Sequence, residues 1–147
     1  MIDSEKYIPH SGEMVLIKSI IDNGQNFVEC LVDVRRSQHF RRQDGSIPSW
    51  IGIEYMAQTI AVYAGYDAKR RGEKIKPGFL LGTRSYKAQS VSFDRNTPLN
   101  VKAEVLFQND ELASFNCWIK SKGKTLAEAR INVYQPQNFE KVIEEQL

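Results

Sequence analysis

The chain has 147 residues with Lys+Arg 20 against Asp+Glu 18, a formal charge of +2, too balanced for a protein that holds nucleic acid by neutralising phosphates along a broad face. Its hydrophobic content of 41% and charged content of 26% are those of an ordinary globular domain. A chain of this length buries roughly 70% of the surface its unfolded form exposes, so one domain over residues 1–147 is expected, without a disulfide or metal staple.

Cys30 and Cys117 sit in alternating apolar segments with no C-x-x-C spacing, and the chain has His 2 in all, so a structural zinc site is not expected. Both cysteines read as small buried hydrophobes in a reducing compartment. The start, Met1-Ile2-Asp3-Ser4-Glu5-Lys6, has acidic residues where a signal peptide needs a positive flank, and no later apolar stretch reaches about 18 residues, so a cytoplasmic protein that does not enter membranes is expected.

In chain order, a leader ending at Pro9-His10-Ser11-Gly12 precedes the strand candidate Met14–Ile21, and His10 is expected to brace the turn before that strand through a ring N–H. Asn23-Gly24 is the pair that supplies positive φ in a tight hairpin, leading into a second strand, Phe27–Val34. There Val28, Cys30, Val32 and Val34 share one face, with Glu29 and Asp33 on the other. The polar run from Arg35 to Ser46 reads as a loop.

From Pro48 to about Arg71 the period changes to that of a helix, with apolar residues on nearly every side, among them Trp50, Ile51, Ile53, Met56, Ile60 and Val62. Pro48 and Ser49 suit its start, and Lys69-Arg70-Arg71-Gly72 suits its end. Four more strands are expected over Phe79–Ala88, Leu99–Phe107, Ala113–Lys120 and Thr125–Tyr134, with inner faces Leu99/Val101/Ala103/Val105/Phe107, Ala113/Phe115/Cys117/Ile119 and Ala127/Ala129/Ile131/Val133. The tail from Asn138 carries Phe139, Val142, Ile143 and Leu147 at helical spacing, a short helix. A helix apolar on most sides needs a concave cover, and a curved antiparallel sheet wrapped around it is the economical one: an α+β, hot-dog arrangement. An uncovered sheet edge would then favour pairing with a second copy or a relative.

Glu54 is the anomaly on this helix, because Trp50, Ile51, Ala57 and Gln58 surround it. Its bland explanation is the favourable end of the helix dipole. With His39 in the preceding loop it would form an acid/base pair suited to elimination and addition. The arginines Arg35, Arg36, Arg41 and Arg42 are either a solvated loop or a docking surface for an acidic carrier of the substrate.

Pro48-Ser49-Trp50-Ile51-Gly52-Ile53-Glu54-Tyr55-Met56-Ala57-Gln58 resembles the hot-dog 3-hydroxyacyl-[acyl carrier protein] dehydratases, whose central helix opens with Pro and carries Glu-x-Met-Ala-Gln. Ile8-Pro9-His10 before Met14-Val15-Leu16-Ile17 is similar to that family's start, and the resemblance runs from about Tyr7 to Pro136. It is closest to the aryl polyene subgroup, through Trp-x-x-x-Glu-x-Met-Ala-Gln, Gly78-Phe79-Leu80-Leu81-Gly82 and Tyr134-Gln135-Pro136. Where the family reads Gly-His-Phe-Pro-Gly, this chain reads Gln38-His39-Phe40-Arg41-Arg42, with Ser49 after the later Pro48.

The resemblance implies His39 as general base at C2 of a 3-hydroxyacyl thioester, Glu54 of a second subunit as general acid for the departing hydroxyl, and oxyanion donors at Ser49 and Trp50. It implies acyl carrier protein as partner, an acyl tunnel between helix and sheet, and either a homodimer or a heterodimer with another hot-dog dehydratase. The implied reaction requires no metal and no nucleotide cofactor. A non-catalytic partner subunit and a hot-dog thioesterase are the alternatives.

Overall fold

The computed structural model describes residues 2–3, 15–74 and 79–134. In chain order these form β1 (Ile2–Asp3), β2 (Ile17–Asn23), β3 (Phe27–Val32), a 3-10 segment (Val34–Phe40), β4 (Ile47–Pro48), α1 (Ile51–Arg70), β5 (Phe79–Ala88), β6 (Ser92–Phe93), β7 (Leu99–Gln108), β8 (Leu112–Ser121) and β9 (Lys124–Tyr134). The main sheet runs β1-β2-β3-β7-β8-β9-β5 with antiparallel neighbours throughout, and β4 pairs with β6 beside it. This is the hot-dog arrangement: α1 packs on β3, β7 and β8 in the middle of a sheet that curves around it. No helix among the described residues is long and apolar enough to cross a membrane.

Register explains the depth of the cradle. Ala103 stands opposite Cys117, and Cys117 opposite Ala129, so a row of small side chains crosses the centre of the inner face and leaves room for the helix. The helix fills that room from every side. Gln58, Thr59 and Ile60 follow one another about 100° apart and all are buried, as are Tyr55, Met56 and Val62. Burying an apolar side chain such as Met56, Ile60 or Val62 contributes about 1.5–3 kcal/mol each, which offsets the modest amphipathic character of the helix. At its far end Gly72 adopts φ +72, with Gly72 N–H on the Lys69 carbonyl (3.1 Å) and Glu73 N–H on the Ala68 carbonyl (2.8 Å), a Schellman termination.

Several expectations need correcting. The three two-residue strands β1, β4 and β6 lie beyond the six expected, and the first part of the run taken for a loop is the 3-10 segment, which begins at Val34 and shortens β3. The β2–β3 turn closes through Gly24 N–H to the Phe27 carbonyl (3.0 Å), without positive φ at Asn23 or Gly24. A register shift between Val105 and Phe107 sets Phe107 opposite Ser114, so Phe107 leaves the inner face and is 51% exposed. Lys122 and Gly123 do form the tight turn into β9, with φ 51 and φ 79. His10, Met14 and the tail from Asn138 lie outside the described residues.

Cys30 and Cys117 are buried and free, and burial pushes both thiols up to about 12. A thiol whose folded value is raised holds its proton where the unfolded chain releases it. Its contribution is therefore full below the ordinary thiol value of 9.0 and is lost as pH climbs towards about 12. The urea midpoint should fall steeply above about pH 9 and less steeply in a Cys30→Ala/Cys117→Ala variant; parallel pH profiles would show that the thiols do not contribute.

Candidate active site

The 3-10 segment is built by Asp33. Its carboxylate accepts from the Arg35 N–H (3.1 Å), capping the first turn, and from Nε and a terminal nitrogen of the Arg35 guanidinium at 3.0 Å each. That guanidinium holds the Asp33 carboxyl below its usual range. Arg36 donates to the Ile17 carbonyl (2.9 Å) and ties the segment to β2. Ser37 breaks the helical geometry at φ −97, ψ 18, and its fully buried hydroxyl pairs with that of Tyr55 on α1 at 2.7 Å. Beyond this anchor His39 is exposed and lies 4.1 Å from the Phe40 ring, which meets Trp50 edge-on at 6.1 Å.

The start of α1 is tightened. Gly52 N–H donates to the Ser49 carbonyl (2.9 Å) and Ile53 N–H to that of Trp50 (3.3 Å), both shorter loops than an α-helical turn. Ser49 N–H is bonded to the Val91 carbonyl (2.9 Å), so Ser49 cannot be the amide donor expected of it. The N–H groups of Trp50 and Ile51 have no described backbone acceptor and stay as the donors of this end.

One turn on, half-buried Glu54 accepts from Gln58 Nε2 at 3.0 Å. Gln58 is wholly buried, and its Oε1 accepts from Leu16 N–H at 2.9 Å. A backbone N–H can only donate, so the amide oxygen of Gln58 must face Leu16 and its NH2 group must face Glu54. Gln58 thus ties the Glu54 carboxylate to the Leu16 backbone, a link the sequence shows only through its i,i+4 spacing from Glu54.

Among the described residues no hydrogen bond or ion pair joins His39 to Glu54 within one chain. The arginines divide: Arg35 and Arg36 brace the segment, the Arg41 guanidinium donates to the Gln38 carbonyl (3.2 Å), and Arg42 is exposed. Two surface depressions of about 240 Å³ each, one flanked by Asp33, Arg35 and Arg95 and the other by Ser85, Trp118 and Arg130, include neither His39 nor Glu54.

The model of the ApeP-like family, ApeP dehydratase, matches residues 2–144. The chain belongs to the ApeP-like dehydratases. It is similar to a chain of the dehydratase heterocomplex ApeI:P from Xenorhabdus doucetiae, 34% identical, covering 100% of this chain and 99% of that one with a TM-score of 0.91. More distant structures share the fold. A hypothetical thioesterase with coenzyme A from Streptococcus pneumoniae is 13% identical over 80% of this chain and 84% of its own (TM-score 0.62). The E. coli PaaI protein of the phenylacetic acid degradation operon is 15% identical over 78% and 80% (TM-score 0.60). No curated protein matches in sequence. This ApeP-like chain carries the Glu54 carboxylate in the first turn of α1, the one long helix among the described residues.

The Ser37–Tyr55 pair holds the His39 segment against the helix that carries Glu54, so its loss should be felt in stability. Ser37→Ala leaves the Tyr55 hydroxyl buried and unpaired, a cost of about 1–3 kcal/mol in urea unfolding. The Ser37→Ala/Tyr55→Phe double variant should cost clearly less than the two single changes together. Additive losses would show that the two hydroxyls are not coupled.

Proposed function

We propose that this chain dehydrates 3-hydroxyacyl thioesters carried on acyl carrier protein to trans-2-enoyl thioesters, in aryl polyene or fatty-acid-like synthesis. The observation that carries the proposal is the carboxylate of Glu54, oriented by a wholly buried Gln58 at the opening of α1 in a chain of the dehydratase family.

Neutral His39 takes the C2 proton, the electron pair of that C–H bond forms the C2=C3 double bond, and the C3–O bond breaks as protonated Glu54 donates to the departing hydroxyl, releasing water. Enolate charge on the thioester oxygen is met by Trp50 N–H, with Ile51 N–H beside it. Proton exchange with solvent then returns His39 to the neutral form and Glu54 to the acid.

The two groups come from different subunits. Three observations support this: His39 and Glu54 are not joined in one chain, the related ApeI:P assembly is a heterocomplex, and apolar surface lies open beside the site. Trp50 is 59% and Val91 74% exposed, and the Ser49–Val91 hydrogen bond holds them together as a patch a second hot-dog chain would cover. Exposed Arg41 and Arg42 face the acidic carrier. Buried free thiols suit a reducing compartment, the cytoplasm.

Mass spectrometry of a 3-hydroxyacyl carrier protein incubated with the chain, alone and with a co-purifying hot-dog partner, should show the enoyl thioester. Free acid would point to a thioesterase, and unchanged substrate to a scaffold. His39→Ala and Glu54→Gln should each lower kcat by roughly 10²–10⁴-fold with the fold intact. Dehydration by His39→Ala at the unmodified rate would move the base elsewhere.

A further inference from the structure

β5 carries an irregularity that the dehydration chemistry above does not use. Its pairing with β9 shifts between Arg84 and Lys87, and Ser85 inside the shift has φ 53, a left-handed conformation uncommon outside glycine. A bulge of this kind re-aims the side chain beside it. The next residue, Tyr86, is half-buried and reaches the start of α1, where its hydroxyl donates to the Ser49 carbonyl at 2.5 Å. Gly52 makes room for it: a Cβ there would fall on the Tyr86 hydroxyl, and would also come within 2.9 Å of Ile119 Cδ1 and 3.2 Å of the Phe93 ring.

The Ser49 carbonyl and the Trp50 N–H belong to one planar peptide unit and point in opposite directions. Whatever holds that carbonyl therefore aims that N–H. A hydrogen bond to the carbonyl oxygen also polarises the amide and strengthens its N–H as a donor. Gly52 N–H holds the same carbonyl from within the helix, so two donors fix this peptide, and the Ser49 N–H of the preceding one is held by the Val91 carbonyl.

Taking the dehydratase reading as its basis, we infer that Tyr86 is a positioning residue for the reaction: through its hydroxyl on the Ser49 carbonyl it orients and polarises the Trp50 N–H that meets the thioester oxygen. The hydroxyl is suited to the task, because burial pushes it up to about 12 and it stays a donor across the pH range of an assay.

The test is Tyr86→Phe, which keeps the ring against Gly52 and removes only the donor. On a carrier-bound 3-hydroxyacyl thioester, kcat should fall roughly 10-fold with KM within about twofold and the thermal midpoint little changed, because the lost interaction serves the transition state. Hydrogen exchange of the Trp50 amide, read by NMR without substrate, should slow by roughly threefold, because an N–H whose carbonyl is less polarised is a weaker acid, while core amides of β7 and β8 hold their rates. Unmodified kcat in Tyr86→Phe, or a loss confined to KM or to thermal stability, overturns the inference. So does unchanged Trp50 exchange, whether or not the chain dehydrates anything. If the unmodified chain does not dehydrate, the functional proposal fails by itself, and the exchange measurement still decides whether Tyr86 holds that peptide.

Discussion

The structure depends on one constraint: α1 is buried on nearly all of its circumference. Gln58, Thr59 and Ile60 in succession are hidden from solvent, and no flat sheet can cover three directions at once. The sheet must therefore curve, its inner face must be shallow in the middle, and the row Ala103–Cys117–Ala129 supplies that depth. Where the cover ends, at Trp50 and Glu54, the helix presents a carboxylate and amides with no described backbone acceptor, and there we place the proposed chemistry.

A helix so enclosed leaves its polar groups no water to turn to, and each must find a protein partner. The partners it finds arrange the site. Tyr55 hydroxyl takes Ser37, and with it the segment bearing His39. Gln58 takes Leu16 N–H and Glu54. The Ser49 carbonyl takes Tyr86. Segments distant in sequence converge on the first turns of α1, so hydrogen bonds that satisfy burial also orient the groups of the site. Removing Ser37 leaves the buried Tyr55 hydroxyl unpaired, and removing Gln58 does the same to the Leu16 N–H, which ties stability and geometry together.

Much of the fold was legible in the sequence. The long strands alternate cleanly, and the helix stands out because its apolar residues fall on every side while its C-terminal Gly72 marks its end. What was not legible breaks periodicity or joins distant residues. Phe107 continues the alternation of Leu99–Val105, and nothing in the pattern announces the register shift that turns it outward. Ser37 sits in a polar run that reads as a loop, yet it is wholly buried. Glu54 and His39 were visible by type and place, and family resemblance gave them roles, but Gln58 depends on an N–H 42 positions away and the fate of the Ser49 N–H depends on Val91.

The central claim is that a site needs His39 and Glu54 from two different chains. Mixing Glu54→Gln with His39→Ala under conditions that exchange subunits tests it most directly. Random pairing of two such chains yields about half mixed dimers, each with one intact site of its two, so about a quarter of the unmodified dehydratase activity should return from two inactive preparations. Activity no higher than that of the separate variants after verified exchange would contradict a site shared between copies of this chain.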